Sequence, residues 1–224
     1  MRALVIETST PRASIALVEN DGVIAQRGFQ SDRSHNALLF EPLAELLENR
    51  RALDLVLVGS GPGSYSGTRV GIAAAQGVAI AMGCPAVAVP SILAVPAAES
   101  GARCLAIGDA RRGSFWTASI ERLTLLEEPA LCDAAEVLER IKAAAAARAA
   151  VFSFEDPDRY PLPAELRAGV SLEFPDASRL WQAWQAADGE TRRNWSVEIP
   201  QPLYLRPPHI TPAKRSLPGG GAPG

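Results

Sequence analysis

The run from Gly59 to Arg69, Gly-Ser-Gly-Pro-Gly-Ser-Tyr-Ser-Gly-Thr-Arg, constrains this chain more than any other stretch. It lies between an apolar strand pattern, Leu55-Val56-Leu57-Val58, and a helix pattern rich in Gly and Ala. Four glycines fall within nine positions, at 59, 61, 63 and 67. Such a loop admits positive φ and lets the backbone approach another surface closely. The free N–H groups at the start of the next helix can receive an anion. A strand, a glycine loop and a helix in this order belong to an α/β lobe. The loop serves either chemistry in that lobe or the seating of another protein.

The flanking pattern agrees. Strands are expected over 2–7, 14–19 and 23–28, with Asn20-Asp21-Gly22 as a hairpin turn signal. A helix follows over 34–49, where Leu38, Leu39, Leu43, Leu46 and Leu47 recur at helical spacing. A strand over 54–59, the glycine loop, a helix over 68–82 ended by Gly83, and a short strand Ala86–Val89 complete a β-β-β-α-β-α-β order. A weaker echo begins at Leu105-Ala106-Ile107-Gly108-Asp109, an apolar strand ending in an acid 102 residues after Glu7. Strand 115–120, helix 134–147, strands Ala150–Ser153 and 170–174, and helix 177–187 make a thinner second copy. This divides the chain into a lobe over 1–100, a smaller lobe over 101–206 and a Pro- and Gly-rich tail over 207–224, expected to be disordered.

The chemistry that these residues exclude is as informative. No Lys follows the last glycine, so the loop is not a Walker A motif. Its spacing, Gly61-x-Gly63-x-x-x-Gly67, is not a dinucleotide fingerprint. Tyr65 stands where a nucleophile elbow needs Ser. His35 and His209 are the only histidines, far apart and outside any metal-binding motif, and Cys84, Cys104 and Cys132 form no CxxC pair. No catalytic residue and no metal ligand are therefore assigned, and the thiols read as buried. A formal charge of −3 offers no general footprint for nucleic acid, so RNA contact needs a local basic patch or a partner. The N-terminus reads as a strand rather than a signal peptide, and the apolar helix near 70–82 is too short and interrupted to span a bilayer, so the chain is expected to be cytoplasmic.

Two surfaces remain as candidates. Glu7-Thr8-Ser9-Thr10 could form an anion-binding concavity beside Gly61, Gly63 and Ser64, giving a nucleotide or phosphate loop. A hydroxyl-rich hairpin turn explains Thr8 to Thr10 equally simply. The second surface is the helix after the loop. Gly71, Ala74, Ala75, Val78 and Met82 share one broad face, and Ala73, Gly77 and Ala81 form a row of small residues that lets another helix approach. The expected partner interface comprises His35, Leu39, Arg69, Val70, Ala74, Gly77, Val78 and Ala81.

Taken in order, Glu7-Thr8-Ser9-Thr10 with Ser14, Ser34-His35, Gly61-Pro62-Gly63-Ser64-Tyr65-Ser66-Gly67-Thr68-Arg69-Val70-Gly71, Asp109-Ala110-Arg111-Arg112-Gly113 and Pro202-Leu203-Tyr204-Leu205-Arg206 resemble the TsaB (YeaZ-type) family. The resemblance implies an actin/Hsp70-like (ASKHA, ribonuclease H-like) two-lobed α/β fold, with mixed sheets flanked by helices. It implies a non-catalytic partner of TsaD in forming N6-threonylcarbamoyladenosine at position 37 of ANN-decoding tRNAs. TsaD-like enzymes carry a metal-binding histidine pair after the strand equivalent to Ala86–Val89; here that stretch reads Pro90-Ser91-Ile92-Leu93-Ala94-Val95. The implied partners are a TsaD-like subunit, a TsaE-like ATPase and tRNA through the complex, with a homodimer when the chain is alone. No cofactor is required, with weak ATP or ADP binding as an option that Glu7, longer than the usual Asp, makes less favourable. The alternatives are an ATP-binding small-molecule kinase or ATPase of the same fold, and a glycoprotease-like metallopeptidase.

Overall fold

A computed structural model describes residues 1–30, 35–48, 52–160 and 162–205, with the side chains of 35–37 excepted. The first sheet begins with β1 (Arg2–Glu7), β2 (Arg12–Glu19) and β3 (Gly22–Gln30). Asn20 and Asp21 close the β2–β3 hairpin with φ of 50° and 68°, the conformation of a type I′ turn. Helix α1 (His35–Leu47) leads to β4 (Leu55–Gly59), and α2 (Tyr65–Met82) to β5 (Ala86–Val89). The strand order is β3-β2-β1-β4-β5, with β2 antiparallel to both neighbours and β1, β4 and β5 parallel.

Alternation along β1 decides what covers each face. Leu4 and Ile6 meet α1 and α2 through Leu39, Leu43, Ile72 and Ala75, while Ala3 and Val5 point to the opposite face. Both faces are buried, which is why β1 and β4 read as continuous apolar runs. Helix α2 starts three residues before the expected 68–82 span. Ser64 caps it by accepting from Gly67 N at 3.2 Å, and Gly83 ends it in the left-handed conformation.

After α3 (Pro96–Glu99), the second sheet is built from β6 (Cys104–Asp109), β7 (Phe115–Glu121), β8 (Thr124–Leu125), β9 (Ala130–Cys132), β10 (Ala150–Ser153) and β11 (Val170–Leu172). Helix α4 (Ala134–Ala146) precedes β10 and the short α5 (Ala164–Arg167) precedes β11. The order β11-β10-β6-β7-β8, with β9 also pairing β7, repeats the first sheet's connectivity. The third strand is broken into β8 and β9, and the helix matching α2 shrinks to α5.

The chain then returns to the first sheet. Helices α6 (Ala177–Ala186) and α7 (Gly189–Val197) follow the second sheet in sequence but pack against strands of the first. One continuous core joins Val5, Leu57 and Val89 to Ala106, Trp116 and Phe152, with Leu180 and Trp181 of α6 inside it. Helix α7 and the short strands β8 and β9, each paired with β7, add to the expected elements; Asp188, which caps α7 by accepting from Thr191 N at 2.7 Å, is the sequence signal for that helix. Only Cys104 is buried; Cys84 and Cys132 are half-buried, a correction to the expectation of three buried thiols. No helix among the described residues is long and apolar enough to cross a membrane. The tail over 207–224 lies outside the described residues.

Candidate functional site

The two turns proposed as an anion cradle do meet at the carboxyl ends of β1 and β4, but they grip each other. Thr8 Oγ1 donates to Gly67 O at 2.8 Å, and Ser64 N donates to Ser9 O at 2.6 Å. Gly63 lies so close to the Ser9 carbonyl that a side chain there would collide with it. Gly61 N donates to Ser91 Oγ at 3.0 Å, and Ser60 N to Val89 O at 2.9 Å. Gly61 also holds φ at +89°, which suits glycine alone among ordinary residues. Of the donors that a phosphate would need, those of residues 60, 61, 64 and 67 are engaged within the protein.

Glu7 is fully buried. Its Oε1 accepts from Ser9 N at 2.7 Å, while Oε2 has no partner of hydrogen-bonding geometry. The carboxyl occupies the space that a Gly59 side chain would fill, beside Ser91, so Gly59 is glycine to make room for it. Burial pushes the Glu7 pKa up; the nearby Ser9 and Ser91 groups oppose that rise, and Asp176 adds to it. Turned beneath the loops, Glu7 ties strand ends together. Its carboxyl therefore bonds Ser9 N beneath the turn and is not exposed to the cleft.

The predicted partner face divides in two. Leu39 is completely buried and Ala74 nearly so, both in the core between the helices and the first sheet, which corrects their assignment to the interface. Their spacing is that of a face turned to the sheet. Arg69 and the row Ala73, Gly77 and Ala81 are exposed, Val70 and Val78 half-exposed. A side chain at Gly77 would meet nothing within 4 Å. Ile80, which the sequence reading passed over, is 82% exposed beside that row, and Phe40 on α1 is 57% exposed. His35 opens α1, and its side chain lies outside the described residues.

The segment from Pro200 to Tyr204 straps across this region. Leu203 N donates to Ser60 O at 2.9 Å and Gln76 Nε2 to Pro200 O at 3.1 Å. Arg69 donates from Nε and Nη2 to the Tyr204 hydroxyl at 3.1 and 2.7 Å and lies 3.8 Å over the Tyr65 ring. These contacts explain why the Pro202–Leu205 segment accompanies the glycine loop. Between the two sheets lies an open cleft of about 1370 Å³. Among the described residues no three His, Cys, Asp or Glu side chains gather as a metal's ligand set.

A strand hairpin followed by parallel crossovers, built twice around an interlobe cleft, defines the actin/Hsp70-like two-lobed class. The atoms repeat as well: Asp109 Oδ1 accepts from Arg111 N at 2.6 Å, as Glu7 accepts from Ser9 N. Residues 25–169 match the family model described as TsaD, tRNA N6-adenosine threonylcarbamoyltransferase. The chain is 32% identical over 130 residues to the tRNA threonylcarbamoyladenosine biosynthesis protein TsaB of Escherichia coli, covering 54% of this chain and 56% of that one. It is 30% identical over 220 residues to an uncharacterized Mycobacterium tuberculosis protein, covering 93% of each. A Pseudomonas aeruginosa crystal structure, described as an uncharacterized protein with similarity to peptidase YEAZ, superposes with a TM-score of 0.68 at 25% identity, over 92% of this chain and 99% of that one. The chain belongs to the TsaD family of tRNA N6-adenosine threonylcarbamoyltransferases as a TsaB (YeaZ-type) member. It spans about half the length of the curated TsaB relatives it matches.

Proposed function

We propose that this chain is a non-catalytic partner subunit in the synthesis of N6-threonylcarbamoyladenosine at position 37 of ANN-decoding tRNAs. It pairs with a TsaD-like catalytic subunit through the outer faces of α1 and α2. A TsaE-like ATPase and tRNA are reached through that pair, and two copies use the same face when the chain is alone. The observation that carries the reading is the exposed Ala73–Gly77–Ala81 row with Ile80 beside it. Small side chains allow close helix approach, and Ile80 supplies an apolar anchor at the contact. The membership of the chain in the TsaD family supports the choice of partner, since a related lobe can offer a matching helix pair. The subunit works without a cofactor of its own, and ATP or ADP binds no tighter than millimolar. Nothing in the site favours the kinase or metallopeptidase readings.

The test is reconstitution. The wild-type chain should co-elute with a TsaD-like subunit and be required for tRNA modification in a mixture with the ATPase and threonylcarbamoyl-adenylate synthase. Ile80→Arg should lose both properties while melting like wild type. Full modification without this chain would refute the proposal, and an unchanged complex with Ile80→Arg would remove the proposed face.

A further inference from the structure

The local basic patch that a net charge of −3 conceals lies in the interlobe cleft. Arg12 at the start of β2, Arg111 and Arg112 in the β6–β7 turn, and Arg159 beyond β10 all line it and are exposed, although up to 147 residues separate them in sequence. Arg12, Arg112 and Arg159 have no carboxylate partner among the described residues, and Arg111 reaches Asp109 only at 3.8 Å. The acids in the same cleft are held by hydrogen bonds but keep their charge, so Arg12, Arg111, Arg112 and Arg159 against Asp109, Glu155 and Asp156 leave a formal excess of one positive charge. Asp109 accepts from Arg111 N, Glu155 Oε2 from Asp109 N at 3.1 Å, and Asp156 Oδ1 from Asp158 N at 3.0 Å.

Further features suggest what these cations meet. The Arg12 guanidinium lies 4.1 Å over the Phe174 ring, held as a plane on which a base can stack. Arg111 and Arg112 adopt φ of 67° and 58°, the left-handed region where Asn or Gly would fit better. Two arginines kept in that conformation project their charge into the cleft. The backbone N–H groups of residues 60, 61, 64 and 67 are already engaged within the protein, which leaves the arginines as the charged donors on the cleft wall.

We propose that this cleft holds a single-stranded segment of RNA, with the arginines on successive phosphates and a base stacked on Arg12. The inference rests on the reading of this chain as part of a tRNA-modifying complex, but its test does not depend on pairing. Fluorescence anisotropy of the full chain alone would use a labelled, unmodified anticodon stem-loop, with a fully paired duplex and Mg-ATP as competitors. The stem-loop should bind and the competitors should not displace it. Arg112→Glu with Arg159→Glu should weaken binding at least tenfold at low salt and flatten the log–log salt slope by about 0.7 per lost phosphate contact. Arg148→Glu, at the opposite end of β10, should bind like wild type, with thermal melts showing all variants folded. No binding by wild type, equal binding by the double variant, or displacement by micromolar Mg-ATP would each overturn the proposal. Loss of pairing with the TsaD-like subunit, by contrast, would count only against the proposed function.

Discussion

Glu7 shows how one buried carboxyl serves as a structural tie. Its carboxyl is buried, with one oxygen bonded to Ser9 N and the other without a partner, and burial raises its pKa. A raised folded-state value means that the folded protein holds the proton more tightly than the unfolded chain. This group's contribution is therefore fully present below the ordinary carboxylate value of 4.5 and is lost as pH climbs through the raised value. Glu7→Gln keeps the acceptor for Ser9 N and cannot ionise. The melting temperature of Glu7→Gln relative to wild type should thus be higher at pH 8 than at pH 5; a constant difference would show that Glu7 ionises without cost. Gly63→Ala should cost about 3 kcal/mol or more in denaturant unfolding, because the added methyl has only the Ser9 backbone to displace. A neutral outcome would mean that the two turns are not in register contact.

At the scale of elements, the comparison between lobes is the most instructive. Helix α2 runs for 18 residues and its counterpart α5 for four, so the second lobe has no long helix matching the one on which docking is proposed. Gly77 lies mid-helix with open space around it, where glycine costs roughly 0.8–1 kcal/mol relative to alanine. Gly77→Leu should therefore raise the melting temperature while weakening pairing with a TsaD-like subunit by at least tenfold in titration calorimetry. Weakened folding would show that the face is packed, and unchanged affinity that it is unused. Much of this was legible in advance: the periodicity of α1, the Gly83 end of α2 and the run of β4 follow local rules, whereas the Ser64 cap and the first three residues of α2 lie inside the glycine loop and escape them. The orientation of Leu39 and Ala74 was not, because a helix with apolar and small residues on several sides does not say which side meets the sheet. Nor could local pattern assemble the arginine cleft, since Arg12, Arg112 and Arg159 meet only after both sheets form. The broken third strand of the second lobe, β8 and β9, is too short for alternation to register.

The whole molecule departs from the two independent lobes that a duplicated sequence suggests. Helix α6 follows the second sheet yet fills the space on the first, and a single core runs through both. Lobes that close on a ligand need an interface able to slide, whereas close-packed side chains in a shared core resist such motion. A cleft held at one width is therefore the expectation. Trp181 is the place to test this. It is almost fully buried in the shared core, and its Nε1 donates to Asp21 O at 3.2 Å in the β2–β3 turn. Trp181→Ala should cost about 3–5 kcal/mol. Since both sheets lose packing together, far-ultraviolet circular dichroism and the fluorescence of the remaining tryptophans should show one coincident transition at lower denaturant. Two separated transitions, with the second lobe keeping its wild-type midpoint, would mean that the lobes are stabilised independently and that the fixed cleft is wrong.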